Sequence, residues 1–225
     1  MFEEINLFEL RKKAAAVYEL LVENYGIPMW SKLPPVEELV NTIISQNTND
    51  KNRDVAFDNL IRRFPTMEEV RDADPNDVIE CIRYAGLANQ KGPRIQNTLR
   101  EITEQTGGLD LNFLKNWDPQ KASDWLTSFK GVGTKTASIV MLFSLNMPAF
   151  PVDTHIHRVT GRIGLRPPKM DADQTHELME KIFLPEQYGT AHINLILLGR
   201  RLCSSRSFDC SKCFLNKICE TGSHK

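Results

Sequence analysis

Leu126-Thr127-Ser128-Phe129-Lys130-Gly131-Val132-Gly133-Thr134-Lys135-Thr136-Ala137 sets two glycines around one apolar residue, with helical sequence on both sides. Glycine admits positive φ and lets another molecule approach the backbone closely. Val132 is expected to plug inward. The amides of the turn and of the next helix's first residues would then face outward as donors, backed by the helix dipole. Such a surface suits a phosphate, although a Gly-x-Gly turn between helices also serves plain packing. Upstream, Asp118-Pro119 opens a helix through Ala122, Trp125 and Leu126, with Asp as cap and Pro in the first turn. An earlier stretch echoes this one: Asp74-Pro75 opens a helix through Val78, Ile79 and Ile82, and the glycine turn is Tyr84-Ala85-Gly86-Leu87. Lys91 follows that turn as Lys135 follows the later one. Helix, glycine turn, helix therefore occurs twice, as a repeated packing solution.

The rest of the chain reads the same way. Pro34-Pro35 begins a run in which Val36, Leu39, Val40, Ile43 and Ile44 share one face. Asn49 or Asp50 starts the next helix, with Val55, Leu60 and Ile61 inward. Later helices run from Asp171 through Leu178 and Ile182, and from Glu186 through Ile193, Ile196 and Leu197. Strand signals are scarce, so the expected fold class is all-α, short helices joined by short turns. A chain of 225 residues with 41% hydrophobic and 25% charged side chains is long and apolar enough for a real core, which excludes a disordered tail. Its longest apolar stretch, Ile139 to Leu145, is broken by Asn146 and Pro148 and falls short of the ~20 residues a membrane span needs. The start, Met1-Phe2-Glu3-Glu4, is acidic where a secretory signal is basic and then apolar, so an intracellular protein is expected.

Lys and Arg number 28 against 29 Asp and Glu, a net of −1 that names no partner. The distribution says more. Between Phe129 and Lys169 the basic residues Lys130, Lys135, Arg158, Arg162, Arg166 and Lys169 face the single acid Asp153. That excess suits phosphates or a solvated basic face. Cys203, Cys210, Cys213 and Cys219 fall as C-x6-C-x2-C-x5-C. In a reducing compartment four clustered thiols mean metal rather than disulfides. One close pair with two outliers suits a four-thiolate iron–sulfur cluster better than zinc, which usually draws on two close pairs, yet zinc stays open on spacing alone. Cys81 sits apart and reads as a small core residue.

The Gly131-Val132-Gly133 hairpin, Lys135 four residues after its first glycine, the phrase Pro151-Val152-Asp153-Thr154-His155 and the terminal cysteine spacing together resemble the endonuclease III family of DNA glycosylases. These belong to the helix-hairpin-helix superfamily and carry a [4Fe-4S] cluster. The likeness runs from about Leu33 to Cys219. It implies two lobes: a six-helix barrel with the helix-hairpin-helix over residues 27–147, and a cluster lobe from residues 1–26 with 148–225. It implies double-stranded DNA with damaged bases or abasic sites as partner, no membrane, and a monomer.

By the same resemblance Lys135 matches the nucleophile and Asp153 the carboxylate that steadies positive charge on the sugar as the glycosidic bond breaks. An amine near the positive end of a helix dipole is favoured in its uncharged, reactive form. Asp153 also reads as the N-cap of a helix from Thr154, and His155 as a hydrogen-bonded support at a DNA-facing position. Gln46 and Leu87 match the wedge positions that fill the hole left by a flipped base. Lys130, Gly131, Val132 and Gly133 would hold the backbone. The ligands would be Cys203, Cys210, Cys213 and Cys219. Adenine-removing relatives carry a carboxylate where this chain has Thr42, and mismatch thymine glycosylases usually replace the lysine with tyrosine. The resemblance therefore implies excision of oxidised pyrimidines with strand nicking through a lysine Schiff base. Removal of mismatched or methylated pyrimidines, or non-catalytic duplex binding, are the alternatives.

Overall fold

The structure is a computed structural model that describes residues 6–223; the acidic start at residues 1–4 lies outside them. Every regular element among the described residues is helical, as the sequence predicts. None of these helices is long and apolar enough to cross a membrane. The chain divides into two compact units, Lys32–Met147 and Met1–Ser31 together with Pro148–Lys225. In chain order, α1 (Leu7–Tyr25) belongs to the split unit. α2 (Pro35–Ser45), α3 (Asp50–Arg63), α4 (Met67–Asp72), α5 (Pro75–Cys81), α6 (Ala88–Thr106), α7 (Pro119–Thr127) and α8 (Thr134–Ile139) make the continuous unit. α9 (Thr154–Ile163), α10 (Ala172–Ile182), α11 (Tyr188–Arg201) and α12 (Glu220–Ser223) complete the split unit.

In the continuous unit α2 buries Val36, Leu39, Val40, Ile43 and Ile44. Asn49 caps α3, its Oδ1 accepting from Asn52 N at 2.9 Å. The inward face of α3 differs from the expected one: Ala56 and Leu60 are buried, Val55 is exposed and Ile61 half-buried. Ala56 and Leu60 are four residues apart and share a stripe, which leaves Val55 and Ile61 on its flanks. Asp74 and Asp118 cap α5 and α7 with Pro in the first turn of each. Ile79 and Trp125, both expected inward, are half-buried. Trp125 lies edge-on to Phe129 with centroids 4.7 Å apart and donates to Gln105 at 2.8 Å, so its polar tip stays wet.

α5 and α6 meet at Gly92, where a Cβ would come within 2.8 Å of Ile79 Cγ1. A Gly92→Leu substitution is expected to lower unfolding free energy by about 2 kcal/mol through overpacking, read from a denaturant titration.

In the split unit Asp171 and Gln174 form a capping box on α10, and Leu178 and Ile182 are buried as expected. A 3₁₀ turn at Pro185–Gln187 precedes α11. The buried apolar face of α11 is Ala191, Leu195 and Leu198, whereas Ile193, Ile196 and Leu197 are half-buried. This helix is apolar nearly all round, so its period does not single out one face. Cys81 is likewise half-buried rather than in the core, its thiol pushed up chiefly by burial.

Candidate functional site

The hairpin joins α7 to α8. Gly131 takes φ +87°, a conformation that side chains resist, and Val132 packs inward at 4% exposure. Gly133 is extended at φ −95°, and a Cβ there would meet nothing within 4 Å, so the outer surface of the turn is open. Gly133 caps α8 without any side-chain bond, which leaves the first amides of α8 to an outside acceptor. Lys135 is the second residue of α8 and exposed, and its Nζ pairs with no carboxylate among the described residues. Lys130 is exposed on the other side of the glycines. Downstream, α8 runs into a π turn at Val140–Ser144.

Two other turns of this unit carry Gln46 and Leu87. Gln46 ends α2; its Nε2 donates to Gly131 O at 3.1 Å and its Oε1 accepts from Arg94 Nη1 at 2.8 Å. Leu87 sits in the left-handed region at φ +53° and is 49% exposed. A bulky apolar side chain held outward in a strained conformation is the reverse of a buried turn leucine. Between these turns stands Lys91, the counterpart of Lys135 in the earlier half of the repeat, to which the sequence assigns no role. It is 2% exposed, and its Nζ donates to Ile44 O at 2.8 Å and to Ala85 O at 2.9 Å. Burial, with Arg94 nearby, holds its amine below the ordinary lysine range. The two halves of the repeat thus put equivalent lysines in opposite settings.

Asp153 lies in the split unit and does cap α9, its Oδ1 accepting from Ile156 N at 2.8 Å. The segment leading to it is gripped by side chains that the sequence did not flag. Phe150 N donates to Glu180 Oε1 at 3.0 Å, and His192 Nδ1 lies 2.9 Å from Pro151 O. Val152 N donates to His176 Nε2 at 3.3 Å, and His176 Nδ1 lies 2.7 Å from Phe150 O. With Nε2 accepting from Val152 N, Nδ1 is left to face Phe150 O. Burial raises the Glu180 carboxyl, and burial with Glu180 and Glu186 pushes Tyr188 up to about 12. Tyr188 OH donates to Glu180 O at 2.7 Å. His155 Nδ1 is 3.1 Å from Arg158 Nη2, which also donates to Gly199 O and Cys203 O. His155 is therefore tied into the α9–α11 packing through Arg158.

Cys203, Cys210, Cys213 and Cys219 line one cavity of about 400 Å³, counting its open mouth, with Arg162, Phe208 and Leu215 on its walls. Burial raises the Cys213 thiol, and the neighbouring Cys203, Cys219 and Cys210 sulfurs add to the rise. Arg162 stacks 3.9 Å over Phe208 and donates to Cys203 Sγ at 3.3 Å. Among the described residues no three Cys, His, Asp or Glu gather closely enough to hold a single metal ion. The four thiols line one space and so offer sulfur donors of the kind that zinc or an iron–sulfur group takes.

Residues 40–185 match the HhH-GPD family, the HhH-GPD superfamily base excision DNA repair proteins. The chain is 36% identical over 184 residues to Endonuclease III of Sulfolobus acidocaldarius, covering 81% of this chain and 80% of that one. It is 32% identical over 186 residues to Endonuclease III of Thermotoga maritima, covering 83% of each. Among solved structures it is similar to a non-covalent Endonuclease III–DNA complex, with TM-score 0.82 and 23% identity over 95% of this chain and 97% of that one. A thermostable thymine-DNA glycosylase gives TM-score 0.82 at 18% identity, over 95% and 98%. At such identities the structural likeness bears on the fold alone.

Proposed function

The chain belongs to the HhH-GPD superfamily of base excision DNA repair proteins and is a DNA glycosylase of that superfamily; we propose that it excises oxidised pyrimidines from duplex DNA and nicks the abasic strand. The observation that carries this reading is Lys135, exposed and without a carboxylate partner among the described residues, at the start of α8 directly behind a hairpin with open amides.

The hairpin amides and Lys130 bind the backbone of the damaged strand, and Gln46 and Leu87 fill the space of the flipped nucleotide. Asp153 steadies positive charge on the sugar as the glycosidic electrons leave with the base. Lys135 Nζ in its neutral form bonds to C1′ and gives up a proton; the C1′–O4′ bond then breaks, O4′ takes up a proton, and the opened sugar is left joined to Nζ as a Schiff base. That imine acidifies the C2′ proton, and its removal expels the 3′ phosphate, which breaks the strand. Thr42 in place of a carboxylate argues against adenine as the excised base.

Cys203, Cys210, Cys213 and Cys219 would hold a [4Fe-4S] cluster, whose contribution is to brace the fold of the split unit. Freshly purified protein is expected to be yellow-brown, and a Cys213→Ala protein to lose that colour and its thermal stability together. Colourless protein containing zinc would assign the thiols to the other metal.

The test of the function is a panel of duplexes, each with one oxidised, methylated or mismatched pyrimidine or an abasic site, assayed for nicking with and without borohydride. Nicking and covalent trapping strongest on oxidised pyrimidines support the reading. Preference for mismatched or methylated bases redirects the substrate, and binding without nicking on every duplex leaves only a duplex-binding module.

A further inference from the structure

The two proposed wedge residues stand on different turns, yet one helix reaches both. Lys91 in α6 donates to Ile44 O and Ala85 O. Ile44 lies two residues before Gln46, and Ala85 two before Leu87. Each carbonyl therefore sits at the point where a wedge turn leaves its helical element, α2 in one case and the 3₁₀ turn Arg83–Ala85 in the other. No carboxylate pairs with this buried ammonium among the described residues. A cation kept there at the expense of its hydration makes geometric sense as a clamp on two carbonyls.

One turn further along α6, Arg94 fixes the first wedge side chain. Its Nη1 holds Gln46 Oε1 at 2.8 Å while Gln46 Nε2 rests on Gly131 O at 3.1 Å, so both ends of the Gln46 amide are set. The shaft of Arg94 occupies the space beside Gly131, where a Cβ would collide with Arg94 Nε and Cδ. Glycine at 131 thus answers two demands, the positive φ and the passage of Arg94. A continuous path of contacts runs from the Leu87 turn through Lys91, the end of α2, Gln46 and Arg94 to the hairpin.

We propose that Lys91 and Arg94 are positioning residues that hold Gln46 and Leu87 in register with each other and with the hairpin, so that the two side chains enter a vacated base position as one unit. The inference rests on the wedge reading of Gln46 and Leu87. When Gln46 exchanges Gly131 O for the orphaned partner base, Arg94 retains Oε1 and the amide meets the base with its Nε2 donors forward.

The experiment uses the full-length protein with two duplexes of one sequence. In one, a tetrahydrofuran abasic analogue lies opposite 2-aminopurine; the other is unmodified. Arg94→Met is expected to lower the preference for the gapped duplex about tenfold. It should also abolish the 2-aminopurine fluorescence change that the parent protein produces. In a Gln46→Ala background Arg94→Met should then add nothing, because the two act as one unit. Lys91→Met should show the same non-additivity with Leu87→Ala, its fold checked by thermal melt; should it fail to fold, the half-buried Arg94 still decides. Equal weakening on both duplexes, or additive effects of Arg94→Met and Gln46→Ala, would reduce Arg94 to a backbone contact and overturn the proposal. A parent protein with no preference for the gap removes the wedge reading itself, an outcome visible before any variant is made.

Discussion

A Lys135→Ala protein is expected to lose strand nicking and borohydride cross-linking on duplexes carrying an oxidised pyrimidine, with a single-turnover rate lower by about 1000-fold or more. The size follows from the chemistry. Without Nζ there is no Schiff base, and the C2′ proton stays too weakly acidic for elimination at neutral pH. Structure adds the reason why the loss is interpretable. Lys135 is exposed and makes no ion pair with a described residue, so truncation opens no cavity and orphans no partner. Its effect on stability should stay within about 0.5 kcal/mol, and melting curves of the two proteins should overlay. Base release separated from nicking tells whether water can replace the amine in the first step. A Lys135→Ala protein that still cross-links to the damaged strand would take the lysine out of the role altogether.

The parts of this molecule that were legible in the sequence share a cause: they are local. Asp before Pro at 74 and 118, Asn49, Asp153 and Asp171 cap helices through bonds within two or three residues, and all of them do so in the structure. The hairpin was legible because the φ of +87° at Gly131 demands glycine, although Gly133, extended, serves openness instead. Wherever the deciding partner is far along the chain, the pattern was silent or misleading. Lys91 stands out in the sequence only as the counterpart of Lys135, because its acceptor Ile44 O lies 47 residues away. Nothing in the local sequence marks His176 and His192, 4% exposed each, because the carbonyls they face belong to Phe150 and Pro151. Val55 looks like a core residue by type, yet Ala56 takes the inward stripe. The cysteines lie between these cases: their spacing announces a sulfur site, and only the shared cavity shows that the four face one space.

Asp153 offers the sharpest separation of a structural task from a chemical one, because the observed cap of α9 and the proposed charge stabilisation fall on the same residue. Its Oδ1 is committed to the Ile156 amide at the start of α9, and Oδ2 makes no hydrogen bond with a described residue. Asparagine caps helices as well as aspartate does. An Asp153→Asn protein should therefore keep α9 and its unfolding free energy within about 0.5 kcal/mol while losing the negative charge. Base release by that protein is expected to fall about 100- to 1000-fold, the scale on which one preorganised electrostatic contact acts on a charged transition state. Asp153→Ala removes the cap as well and should cost about 1 kcal/mol of stability in addition. The segment before it is held by Glu180, His176 and His192 on its backbone, so in the proposed reaction the carboxylate would need little reorganisation. If Asp153→Asn releases base at the parental rate, the carboxylate is a cap and nothing more, and the stabilising anion must be sought elsewhere. If Asn and Ala lose activity equally but differ in stability by the cap alone, the two tasks of Asp153 are independent.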